Sequence, residues 1–172
     1  PMTAALAQSW PSKTIRYVVP FPPGGGTDLV ARALAANLSE KFGRQIVVEN
    51  RPGAGGNIGA DQIAKAAPDG HTVGVATTAI LCINPTSNPA TPFDPVKDFS
   101  PIAMLASIPL FLVAHPSVKA NSLNEFIALA KANPGKFSYG HSGDGTLSHL
   151  SGELFKVMTG ADVVAVPYTG GP

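Results

Sequence analysis

One cysteine in 172 residues, Cys82, excludes any disulfide within the chain, and its apolar setting, "TTAILCIN", reads as a buried thiol. Charge is also scarce. Twelve Lys and Arg against eleven Asp and Glu make up 13% of the residues and leave a net +1. No concentrated basic patch is visible, so nucleic acid is not an expected partner. No apolar run reaches the roughly 20 residues of a membrane-spanning helix, and no long internal period suggests a solenoid. Hydrophobic residues, by contrast, are plentiful at 44%, enough to bury a core. The 18 glycines and 17 prolines punctuate periodic segments and form no low-complexity tract. The composition is that of a loop-rich globular α/β protein, one large domain or one and a half ordinary ones.

Strand and helix patterns alternate along the chain. A β-branched and aromatic run at residues 15–19 predicts a buried strand, and apolar residues at helical spacing predict a helix over 27–42, closed by Gly43. A second strand at 45–50 leads through "RPGAGG" to a helix near 57–66. "PDG" marks a turn, "HTVGVAT" a third strand, and a short apolar helix or turn runs through Ile83. Proline-rich residues 84–101 read as a surface loop. Residues 102–116 read as one or two strands interrupted at Pro109. A helix over 123–132, a short strand "FSYG", a glycine loop, a helix over 146–158 and a strand "DVVAVPY" complete the pattern. Such alternation predicts mostly parallel sheets with flanking helices. Ligands of such sheets bind at the carboxyl ends of the strands, where the glycine loops fall.

Three glycine loops follow strands. The first, "FPPGGGTD", combines a bare backbone with the start of a helix, the makings of an anion seat in which Thr27 or Asp28 suits the N-cap. It lacks the lysine of a phosphate-binding P-loop, and Asp28 would repel a phosphate. Asp28 has two readings, organising the loop or meeting a polar group of a ligand, and the first is preferred. The second loop, "GAGGNIG", resembles a dinucleotide fingerprint, but the next strand ends in Thr77 and Thr78 without the acid that would hold a ribose. Glu49, Asn50 and Arg51 are expected to shape its turn. The third, "GHSGDGTLSH", falls short of a hydrolase nucleophile elbow because Asp144 stands where a glycine is required. No histidine follows His149 to complete a triad. What remains is Gly143 and Gly145 with exposed N–H groups, hydroxyls from Ser142, Thr146 and Ser148, and a helix start. Two such loops, the first and third, could hold one carboxylate from opposite sides.

His71 and His115 flank strands and read as turn or surface residues. His141 and His149, eight apart with Asp144 between them, do not match a familiar metal spacing. For His149, lining a cleft and packing structurally are equal readings. Asp61, Glu125 and Glu153 read as solvated or capping residues, and no pair of acids suggests a general acid/base couple. No cofactor, metal or catalytic residue is expected. At the N-terminus, Ala5-Leu6-Ala7 followed by Gln8 resembles the cleavage end of a secretory signal peptide, which predicts export with cleavage near Ala7.

Taken in order, "IRYVVPFPPGGGTDLVARALA", "VVENRPGAGGNIGAD", "KAAPDGHTV", "INP", "DPVKDFSPIAMLA", "SLNEFIALAKANPGKFSYGHSGDGTLSHLSGELF" and "VPYTGG" resemble the Bug family, the extracytoplasmic solute-binding receptors of tripartite tricarboxylate transporters. The resemblance implies a type II periplasmic binding protein-like fold whose two α/β lobes close on a ligand by a hinge. In this chain it implies a leader over residues 1–11, lobe 1 over 12–108 and an incomplete lobe 2 over 109–172. It implies a non-enzymatic periplasmic receptor for a small organic acid, with membrane transporter subunits as partners. The ligand residues it implies are Phe21, Pro22, Gly24, Gly25, Gly26, Thr27 and Asp28 from lobe 1 and Ser142, Gly143, Gly145, Thr146, Ser148 and His149 from lobe 2. Thr77 and Thr78 join them, and Ile80 and Leu81 suggest a more apolar distal wall. An unfinished sheet edge would favour self-association. Two other classes stay open, a glycine-loop enzyme and an interaction or sensor module that works without ligand.

Overall fold

The computed structural model describes residues 10–170; the expected cleavage site at Ala7 lies outside them. β1 (Ile15–Val19) is the central strand of a three-stranded parallel sheet, with β2 (Ile46–Asn50) on one side and β3 (Thr72–Gly74) on the other. Ile15 stands opposite Ile46, and Arg16 opposite both Val47 and Thr72. A central parallel strand is covered on both faces over most of its length and is apolar where it is covered, so only Arg16, near its start, is exposed. Accordingly Ile15, Tyr17, Val18 and Val19 are all buried.

α1 (Gly26–Phe42) crosses from β1 to β2 and buries Ala31 and Ala35 against Ile15, Tyr17 and Val19. It ends at Gly43, whose left-handed φ of 59° closes the last turn, as its sequence position predicts. α2 (Asn57–Ala64) returns the chain to β3. Beyond β3 a π-helical turn, Ala79–Ile83, runs directly into α3 (Asn84–Ser87). The expected surface loop therefore begins as helix. Pro85 is accommodated because the first helical turn has N–H groups without intrahelical acceptors. Phe93 from the same stretch is buried beside Ile80 and Ala60 and meets Phe99 edge to face at 5.3 Å. Cys82 is exposed, contrary to expectation, because Ile80 takes the inward position of the turn.

The second sheet has two parallel strands, β4 (Phe137–His141) and β5 (Val163–Pro167), paired Phe137 to Val163. α4 (Leu123–Ala132) precedes it and α5 (Leu147–Thr159) connects its strands. Ser122 Oγ accepts the Glu125 N–H at α4, while the Glu125 carboxylate accepts the N–H of Asn121, the capping role expected of that acid. Ala130, Ala161 and Val163 form the small core, with Phe126 stacked on Phe155.

The strands expected over residues 102–116 do not form. Strand pairing needs a neighbour with free backbone groups, and among the described residues none lies alongside. Met104 and Phe111 stand 90% and 80% exposed there. No helix of the described residues is long and apolar enough to cross a membrane.

Candidate functional site

Asn50, at the end of β2, ties the first two loops together. Its amide donates to the Phe21 carbonyl at 3.0 Å and to Asp28 Oδ1 at 2.9 Å. Asp28 Oδ2 accepts the Gly24 N–H at 2.9 Å and Arg32 Nε at 2.8 Å. The guanidinium of Arg32 holds the Asp28 carboxyl at about 2 against the opposing effect of burial, with Gly24 and Asn50 assisting. Asp28 is thus a buried organiser in the first turn of α1. It does not occupy the N-cap, a position taken by Gly25, and neither does Thr27. Glu49 beside it receives both Arg16 (2.8 and 2.9 Å) and Arg51 (3.1 Å), so Glu49, Asn50 and Arg51 do shape the turn.

The second loop has an unusual backbone. Gly53, Ala54, Gly55 and Gly56 all have positive φ, a run that only a glycine-rich segment tolerates. This lets the chain pass close to other groups. A β-carbon on Gly56 would overlap Ile80 and come within 3.4 Å of the Phe21 ring, and one on Gly55 would lie 3.0 Å from the Asp144 carbonyl. Asn84, buried at the start of α3, donates to Asn57 Oδ1 at 2.6 Å and faces Gly145 of the third loop.

The third loop is held by its own hydroxyls. Thr146 Oγ donates to the Gly143 carbonyl at 2.6 Å. Ser148 Oγ accepts the Ser142 N–H at 3.1 Å and pairs with Ser142 Oγ at 2.9 Å. His149 Nδ1 accepts the Gly145 N–H at 3.2 Å, which leaves the neutral ring an Nε2–H donor. His141 and His149 stack with centroids 4.4 Å apart. The Tyr139 hydroxyl donates to Glu153 at 3.0 Å, and burial together with that carboxylate pushes the phenol up to about 12.

Between the second and third loops lies a cleft of about 540 Å³. Its walls are Phe21; Gly53, Ala54, Gly55 and Gly56; Asn84, Ser87 and Asn88; Ser142, Gly143, Asp144 and Gly145; His149 and Leu150; and Tyr168 and Thr169. Of the residues expected at a site, Phe21, Ser142, Gly143, Gly145 and His149 line it. Pro22, Gly24, Gly25, Gly26, Thr27, Asp28, Thr77, Thr78, Thr146 and Ser148 do not. The reasons are physical. Asp28 takes the Gly24 N–H, Ile108 stands 3.1 Å from a β-carbon position on Gly26, and Pro22 packs on Gly170. Thr146 is buried beneath its loop. Thr77 is turned inward, its Oγ buried without a partner. Ile80 is buried under Gly56 and does not form a distal wall. The second loop, Asn84, Ser87, Asn88 and Tyr168 were not expected at a site. The consecutive glycines of "GAGGN" carried the signal, since four residues of positive φ in a row imply a close approach.

Parallel α/β sheets with glycine loops meeting over a cleft suit the binding of a small molecule, and the chain is similar to the solved periplasmic binding protein BugD, with a TM-score of 0.81 at 32% identity over 94% of this chain and 54% of that one. An R. palustris protein with adipate superposes with a TM-score of 0.91 at 41% identity, over 94% of this chain and 54% of that one. MatC from Rhodopseudomonas palustris with bound malate gives 0.81 at 34% identity, over 94% and 55%. The sequence pattern of the tripartite tricarboxylate transporter family receptors matches residues 30–172, and the chain belongs to that family. BugT of Bordetella pertussis is 42% identical over 165 residues, 95% of this chain and 51% of BugT. The chain spans about half the length of the curated relatives it matches. Its fold is accordingly a part of the periplasmic binding protein fold seen in those relatives. The family is one of substrate-binding receptors, not enzymes.

Proposed function

We propose that this chain is the ligand-capturing part of a periplasmic receptor that holds a small organic acid in the cleft and presents it to the membrane subunits of a tripartite tricarboxylate-type transporter. In this reading residues 12–108 belong to one lobe and 109–172 to the other. The acid lies between the second and third glycine loops, and export follows cleavage near Ala7. The observation that carries the proposal is the 3.0 Å approach between the Gly55 β-carbon position and the Asp144 carbonyl, which brings two bare-backbone loops to one cleft.

Wall chemistry supports an anion held without a fixed cation. No Lys or Arg lines the cleft, whereas Ser142, the Nε2–H of His149, the amides of Asn84 and Asn88 and the glycine backbones offer neutral donors. Hydrogen bonds to a charged acceptor contribute about 1.5–3 kcal/mol each, so a few suffice for useful affinity. Adipate and malate, seen with two relatives, are both dicarboxylates. The carboxylate of Asp144 on the same wall favours a ligand whose second acid group points away from it. The test is a thermal-shift panel of mono-, di- and tricarboxylates, amino acids and aromatic acids. A dicarboxylate at 100 times its dissociation constant stabilises the bound form by about 2.7 kcal/mol. The reading fails if no acid raises the melting temperature while a dinucleotide does, or while an ester is turned over.

A further inference from the structure

We propose that His141, Asp144 and His149 form a transition-metal site on the third-loop wall of the cleft. Each offers one ligand atom, and all three atoms lie within 4.8 Å of one another. The proposal does not require the organic acid as ligand, although Asp144 and His149 are shared with the cleft wall.

His141 carries most of the argument. Its Nδ1 lies 3.0 Å from the Gly143 carbonyl oxygen, which can only accept, so Nδ1 carries a proton and in the neutral ring Nε2 presents the lone pair. That Nε2 is buried and has no hydrogen-bond partner, in a side chain only 1% exposed. An unsatisfied buried acceptor is costly, and a metal ion removes the cost. A ring gripped from behind by a backbone carbonyl is also how metal-ligating histidines are held and oriented.

Asp144 Oδ1 stands 3.8 Å from that nitrogen on a side chain 80% exposed, free to swing toward it. Gly143 and Gly145 on either side, with φ of 120° and 74°, make the segment easy to bend. The third ligand has to move. His149 lies nearly parallel to His141, 14° between planes, and lone pairs in stacked rings run side by side instead of converging. It ligates by turning out of the stack, giving up the Gly145 N–H and shifting its ring proton to Nδ1. Ligand atoms held at about 2.0–2.2 Å from one ion stand about 3.3 Å apart, so uptake closes the cluster by roughly 1.5 Å.

Two imidazoles and one carboxylate suit zinc, nickel or cobalt and not calcium or magnesium. Asp144 and His149 both line the cleft, so the remaining coordination positions open into it, where a carboxylate or water completes the shell.

The test titrates Zn²⁺ into the whole chain without any organic acid, read by calorimetry and by ¹⁵N NMR of the imidazoles. The expected result is a large shift of the His141 Nε2 resonance on adding Zn²⁺, and loss of the ring-current signature of the stack. His141→Gln should abolish binding, Asp144→Asn should weaken it at least tenfold, and Mg²⁺ should not compete. Asp144 is exposed, so its variant decides the matter if His141→Gln fails to fold. Either no Zn²⁺ uptake or unchanged affinity in Asp144→Asn would overturn the site.

Discussion

The Asp144 carbonyl lies 3.0 Å from where a β-carbon on Gly55 would sit, although 89 positions separate the two residues in sequence. This approach closes one end of the cleft and joins the loop after β2 to the loop after β4. Gly55 also has a φ of 63°, which side-chain-bearing residues adopt at a cost of about 1–2 kcal/mol. Gly55→Ala is therefore expected to lower stability by about that amount and to weaken acid binding more than tenfold. Urea denaturation and calorimetry on the same variant separate the two effects.

Asp28 gives a pH signature. Its carboxyl is held at about 2 in the folded chain, below the ordinary 3.8, chiefly by Arg32. A depressed acid contributes stability that is complete above its unfolded value and is lost as pH falls from about 4 toward 2. Asp28→Asn should flatten that part of the acid-unfolding profile. It should also destabilise the chain at pH 7 by about 1–3 kcal/mol, the cost of leaving Gly24 or Arg32 without its acceptor.

Tyr139 works in the opposite direction. Its phenol rises to about 12 through burial and Glu153. Favouring the neutral form, it stabilises the fold fully below about 10 and loses that contribution as pH climbs through 12. Burial raises the Tyr17 phenol as well, so ultraviolet titration should find two tyrosines ionising late, and Tyr139→Phe should remove one of them. The same ring lies over Gly152, where a β-carbon would overlap it, so Gly152→Ala should cost about 1–3 kcal/mol through overpacking.

Residues 102–113 expose Ile102, Met104, Phe111 and Val113, with no strand partner among the described residues. Contiguous exposed apolar surface drives association. Sedimentation should show concentration-dependent self-association that Phe111→Glu reduces without loss of helicity.

Much of the fold was readable because local patterns decide it. The β-branched run of β1, the helical spacing of α1 and α4 and the left-handed glycine at Gly43 each announce themselves within a few residues. The role of Asp28 was also readable, since an acid four residues before Arg32 in a first helical turn has an obvious partner. Non-local pairing was not. Residues 102–116 have a strand composition, yet a strand exists only where a neighbour offers its backbone. Asn84 looked like loop because prolines follow it, while its burial against Asn57 and Gly145 is set by tertiary contacts. The lining of the cleft is not legible in the sequence for the same reason. Sequence identifies three glycine loops, but the contact of the second with the third depends on how the two sheets meet. Once Asp28 and Ile108 cover the first loop, only Phe21 of that loop reaches the cleft.

The central claim is that the cleft between the second and third loops binds a small dicarboxylate. Isothermal titration of the chain with adipate and malate tests it most directly, with Ser142→Ala and His149→Ala alongside. Saturable 1:1 binding to the wild type, weakened at least tenfold in each variant, is the predicted result. Binding that ignores both substitutions, or heat from a nucleotide cofactor and none from either acid, would contradict it.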